Sequence, residues 1–120
     1  MLTLAPWLDK ILERSLPDEI AAVCFNLYED GGQNWSAEFV GAASFDPDDC
    51  DWACDEVFTT RDTPLRFVRD CSWEDVLEEA VNAVERYLEQ GVHATRLKKY
   101  QAVAVGFVDG DLEIVYQKTP

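Results

Sequence analysis

The 120-residue chain predicts an α+β domain. The expected sheet is a single antiparallel one of about five strands, two hairpins plus a middle strand, with two helices packed on one face. Three observations predict it. Apolar residues recur at helical spacing in two stretches, one at the N-terminus and one after Ser72. They recur at a spacing of two in the stretches between and after, across turns that carry glycine. Hydrophobic residues make up 48% and aromatics 12%, enough to bury one core, so residues 1–120 read as a single domain.

The first helix follows from Leu4, Leu8, Ile11, Leu12, Ser15 and Leu16 at helical spacing. Pro6 fits its first turn, where a missing N–H costs nothing, and Pro17 ends it. From Glu19 the period falls to two. Val23, Phe25 and Leu27 share one strand face, and Ala22, Cys24, Asn26 and Tyr28 the other. Gly31-Gly32 reverses the chain. The return strand alternates Trp35, Ala37, Phe39, Gly41, Ala43 and Phe45 against Ser36, Glu38, Val40, Ala42 and Ser44, the pattern of a half-buried strand. Glu19–Phe45 is therefore expected as a hairpin.

Val57-Phe58-Thr59-Thr60 has strand composition and extends the sheet. Arg61–Asp70 pulls two ways, since Pro64 opposes a central strand while Leu65, Phe67 and Val68 want burial. Ser72, with Asp75 three residues on, approximates a capping box and opens the second helix. Its apolar stripe is Leu77, Ala80, Val81, Val84 and Leu88, with Val76 and Tyr87 at the margin. Glu78, Glu79, Glu85 and Glu89 face solvent, and Gly91 suits the position that stops the helix. A second hairpin, Tyr100–Val108 with Asp111–Tyr116, is expected around Asp109-Gly110, the pair that a type I′ turn demands.

Charge narrows the function classes. The 24 acidic side chains outnumber the 10 basic ones, for a formal net charge of -14. Such self-repulsion favours solubility and disfavours nucleic acid and anionic membranes as partners, while a basic protein would be attracted. No apolar run approaches the roughly 18 residues of a membrane span. Asp9, Lys10, Glu13 and Arg14 make Met1–Leu16 an amphipathic helix and not a signal peptide, so the expected location is cytoplasmic. There the four cysteines would be reduced thiols. Acidity with only four lysines also fits adaptation to high salt.

Chemistry concentrates in the connection Phe45–Glu56, where six carboxylates and two cysteines surround Trp52. Aligned to a calcium-binding EF-hand loop from Asp46, Asp48 fits position 3. Cys50, Asp51 and Val57 fail at positions 5, 6 and 12. Cys50 and Cys54 do not form the tight Cys-x-x-Cys pair of finger and ribbon sites, although a helical turn over 50–54 would bring their sulfurs together, and Cys71 and His93 lie far along the chain. His93 is the one histidine, and it sits just past a helix stop with no nucleophile motif beside it. No phosphate-binding or dinucleotide glycine loop occurs. These residues thus point to no catalytic, metal or cofactor site. They fit recognition: Asp46, Asp48, Asp49, Asp51, Asp55 and Glu56 would steer a basic partner and accept its donors, with an exposed Trp52 as the desolvated anchor. The alternative is a small metal- or ligand-binding protein using the same loop. Arg96, Lys98 and Lys99 read as compensating charge near a helix end.

The segments Ile20–Glu29 (IAAVCFNLYE), Asp51–Glu56 (DWACDE) and Gln101–Asp111 (QAVAVGFVDGD) together look like those of small acidic bacterial proteins. Some of these resemble the immunity proteins encoded beside secreted toxins. The resemblance covers most of the chain and implies a cytoplasmic inhibitor that binds a toxin domain. It assigns no functional residue. With the charge and the missing catalytic motifs, the expected function is a non-catalytic acidic protein that blocks a basic toxin.

Overall fold

In the computed structural model, residues 3–108 and 110–118 are described. The elements run α1 (Leu4–Leu12), β1 (Ala22–Gly31), β2 (Asn34–Ala42), β3 (Glu56–Thr59), β4 (Leu65–Val68), α2 (Trp73–Gln90), α3 (Ala94–Leu97), β5 (Ala102–Phe107) and β6 (Glu113–Gln117). A 3₁₀ turn, Cys50–Cys54, lies between β2 and β3. No helix among the described residues is long and apolar enough to cross a membrane.

The architecture is α+β, but the sheet is mixed and six-stranded where a five-stranded antiparallel one was expected. Its order is β3-β2-β1-β5-β6, with β4 also paired to β2. β3 and β4 run along the same outer edge of β2, Val40 facing Thr59 and Ala37 facing Leu65. They are in effect one edge strand interrupted at 60–64, and Pro64 sits in the interruption, where no ladder bond is lost. The parallel pair is β1 with β5, Val23 facing Val103. Each hairpin is antiparallel within itself, as expected. Between them the chain first runs back along the edge as β3 and β4, antiparallel to β2 and so in the direction of β1, and α2 then crosses over, so β5 enters parallel to β1.

The hairpin β1–β2 turns through Gly31 (φ 103) and Gly32 (φ 61), values that L side chains rarely adopt. Phe25 faces Phe39 and Asn26 faces Glu38 across it. β2 is buried from Trp35 to Ala42, on both faces, so the half-buried strand expected there is instead central. It also ends at Ala42, which frees Phe45 to leave the Trp35 face.

Both longer helices pack on the face that carries Val23, Phe25, Leu27, Phe39, Val103 and Val105. α1 contributes Leu4, Leu8, Ile11 and Leu12 and stops four residues short of the expected end, with Glu13 N–H donating to the Asp9 carbonyl at 3.0 Å. α2 is turned slightly from its expected orientation. Val76, Ala80, Val84, Tyr87 and Leu88 are its buried residues, while Leu77 and Val81 are half-buried. Tyr87 gains a partner there, its hydroxyl donating to Asp9 at 2.6 Å. Gly91 does follow the helix, in an extended conformation (φ -67, ψ 148) and not a left-handed one.

The second hairpin departs most from expectation. β5 ends at Phe107 and β6 starts at Glu113, a longer connection than a two-residue turn; Asp109 lies outside the described residues. The wider loop folds back over β5, where a Cβ on Gly106 would lie 2.6 Å from the Asp111 carbonyl and 3.2 Å from Leu112 Cα. Glycine is the residue that admits such a close backbone approach.

Candidate functional site

The acidic connection packs on the sheet face opposite the helices. Trp52 is 5% exposed and lies over a floor of small residues, Ala22, Cys24, Ala42, Ala102 and Ala104, which the indole fills. Phe45 meets it edge to face at 5.3 Å. Trp52 is therefore the peg that fastens the loop, and the expected exposed anchor at this position is corrected. Asp46, Asp48, Asp49, Asp51, Asp55 and Glu56 are all exposed. Two of them shape the turn: Asp46 accepts from Asp48 N–H at 2.9 Å, and Asp49 from Asp51 N–H at 3.0 Å. Glu56 is paired with Arg61 at 3.0 Å. No three His, Cys, Asp or Glu side chains among the described residues converge as a metal site would require.

Beyond this loop on the same face lies a polar cluster around Glu38, which is 2% exposed. Arg61 donates to it through Nε at 3.0 Å and through its terminal nitrogen at 3.3 Å. Tyr28 donates its hydroxyl to the same carboxylate, and Asn26 its amide at 3.4 Å. The Cys24 thiol donates to Asn26 Oδ1 at 3.1 Å. Each group is partnered, as burial demands. Desolvation, followed by the Glu38 hydrogen bond and charge, pushes the Tyr28 hydroxyl up to about 12. Burial, then the charge of Glu38, pushes the Cys24 thiol up to about 12. A thiol so raised is protonated at neutral pH and is no nucleophile. The His93 ring contacts Glu13 at 3.2 Å, on the helix side of the molecule.

An exposed tryptophan does exist, at the far end of the strands. Ser72 caps α2, accepting from Asp75 N–H at 3.3 Å, so the helix opens at Trp73, which is 53% exposed. Trp73 stands perpendicular on Phe107 at 5.9 Å, and Phe107 in turn meets Trp35 at 6.0 Å. Beside it is an open depression of about 740 Å³ lined by Leu27, Tyr28, Glu29, Leu77, Phe107, Val108, Gly110 and Asp111. A second, of about 430 Å³, runs along α2 and takes in Glu74, Leu77, Glu78, Val81, Asn82 and Glu113. Trp73 lines both. The walls are apolar at the base and carry five carboxylates, with no Lys, Arg or His. The Trp52 loop packs at the Ala22 end of β1 and this groove opens at the Tyr28 end. At about 3.3 Å per residue the two are about 20 Å apart along the strand.

Sequence reasoning missed Trp73 and Glu38. Trp73 precedes Leu77 by four residues and so continues the apolar stripe of α2, past the point where the sheet can cover it. Glu38 faces Asn26 once the hairpin register is set, which marks it as a strand-centre acid with a polar neighbour. Compared with known protein families, curated proteins and solved structures, the chain matches none.

Proposed function

We propose that the chain is a non-catalytic, acidic protein-binding domain that occludes a basic partner, in the manner of an immunity protein acting on a toxin domain such as a nuclease. The observation that carries this reading is Trp73, a half-exposed aromatic residue set between depressions whose only charged lining groups are carboxylates. Interfaces concentrate their energy in such anchors, and tryptophan is the residue most enriched among them. The net charge of -14 supports it, since a field of one sign steers an oppositely charged partner and raises the encounter rate. The exposed acids of the Asp46–Glu56 loop add a second negative surface that attracts the same class of partner. Inhibition would be steric, with carboxylates standing where the phosphates of the toxin's substrate would lie.

Capture of partners from the native host, followed by affinity measured at rising salt, tests the proposal. A basic protein should be retained, its affinity should fall as salt rises, and Trp73→Ala should weaken it by about tenfold or more. A host yielding no basic partner, or an affinity indifferent to salt, sinks it.

A further inference from the structure

We infer that the Trp73 groove takes an extended segment of the partner with an apolar side chain on the indole and a cationic side chain in the depression on either side. The inference rests on reading the chain as an acidic protein-binding domain and specifies what that domain grips.

Trp73 and Leu77, four residues apart on one face of α2, line both depressions, so the indole divides them. Glu29 and Asp111 rim the larger one, and Glu78 and Glu113 lie on the smaller. The ion pairs of the described residues engage other acids (Glu38, Glu56, Glu79 and Glu13), which leaves these four available. The Tyr28 hydroxyl is already given to Glu38, so the walls offer acceptors and apolar surface with almost no donors. An anionic segment would meet like charge, and a purely apolar one would strip water from the carboxylates without replacing it. Arginine and lysine satisfy both parts of the wall, an aliphatic stem over Leu77 or Val108 and a donor-bearing head on the carboxylates. In an extended segment residues i, i+2 and i+4 share a face and span about 13 Å, which suits two depressions on either side of one indole.

The test titrates the full chain with the synthetic peptide acetyl-Gly-Arg-Ser-Leu-Ser-Arg-Gly-amide. The readout is the Trp73 indole N–H resonance, assigned by Trp73→Phe. That resonance should move, and replacing either arginine by citrulline should weaken binding by about fivefold or more. In Glu29→Gln/Asp111→Asn one citrulline replacement should become silent, and in Glu78→Gln/Glu113→Gln the other. An unmoved indole at millimolar peptide, equal binding of the citrulline forms, or shifts confined to the Asp46–Glu56 loop overturns the inference. A salt-sensitive basic partner that ignores Trp73→Ala overturns it too, while leaving the acidic binding-domain reading intact. Peptide binding with the stated pattern, in a host that yields no basic partner, supports the groove and sinks the wider reading.

Discussion

Glu38 shows how much one residue can depend on its neighbours. A carboxylate that is 2% exposed is costly unless its oxygens are bonded, and here Arg61, Tyr28 and Asn26 share them. The Arg61 side chain is 57% exposed, so water screens the pair from that side, and its loss should cost less than that of a fully enclosed partner. Arg61→Ala is expected to destabilise the fold by about 2 kcal/mol, and Glu38→Ala/Arg61→Ala by at least about 1 kcal/mol less than the sum of the single changes. Urea unfolding of the four proteins in the cycle measures this; strict additivity would show that the pair does not act as one. The two tryptophans make the complementary point. Trp52→Ala removes a buried indole from its alanine floor and should cost about 3 kcal/mol, whereas Trp73→Ala should change stability by under about 1 kcal/mol. In the sequence both stand beside acids, and only Trp52 was expected to be the anchor. What separates them is the small-residue floor made by three strands, Ala22, Ala42, Ala102 and Ala104, which is assembled only in three dimensions.

The elements themselves were largely written in the chain, because each obeys a local rule. The alternation Val23, Phe25, Leu27 against Ala22, Cys24, Asn26 gave the two faces of β1 correctly, and Ser72 marked the start of α2 to the residue. The relation between elements was not local, and there the expectation failed. Asp109-Gly110 suggested a tight turn, yet β6 begins at Glu113 because the connection is drawn back across the sheet to seat Leu112 beside the Trp52 cluster. Gly106 is the hinge of that arrangement. A methyl group there would strike the Asp111 carbonyl, a backbone atom that cannot rotate away. Gly106→Ala should therefore cost about 2 kcal/mol and should also displace Asp111, which rims the Trp73 groove. Hydrogen exchange over 108–113 read beside the stability of the variant tests both parts. A variant as stable as the parent, with unchanged exchange in the loop, would show that the close approach carries no constraint.

At the scale of the whole molecule the acidic surface and the buried polar cluster combine in the response to alkali. The unfolded chain releases the Cys24 proton near 9.0 and the Tyr28 proton near 10.0, whereas the folded protein holds each to about 12. Tyr87 and Tyr100 are raised as well, both first by burial. Above about pH 9 the unfolded chain binds fewer protons than the folded one, so stability must fall as pH rises, being complete below that point and eroding until about 12. Each phenolate or thiolate released also adds a negative charge to a chain already at -14, which deepens the loss at low salt. The urea midpoint should accordingly be level from pH 7 to about 8.5 and decline from there. Cys24→Ala should flatten the early part of the decline, and Tyr28→Phe the part above pH 10, even where each variant starts from a lower midpoint. Added salt should lift the alkaline limb without moving its onset, because screening weakens surface repulsion and leaves buried desolvation untouched. A limb that keeps its slope in both variants would mean that these buried groups do not set the alkaline limit, and that surface charge alone does.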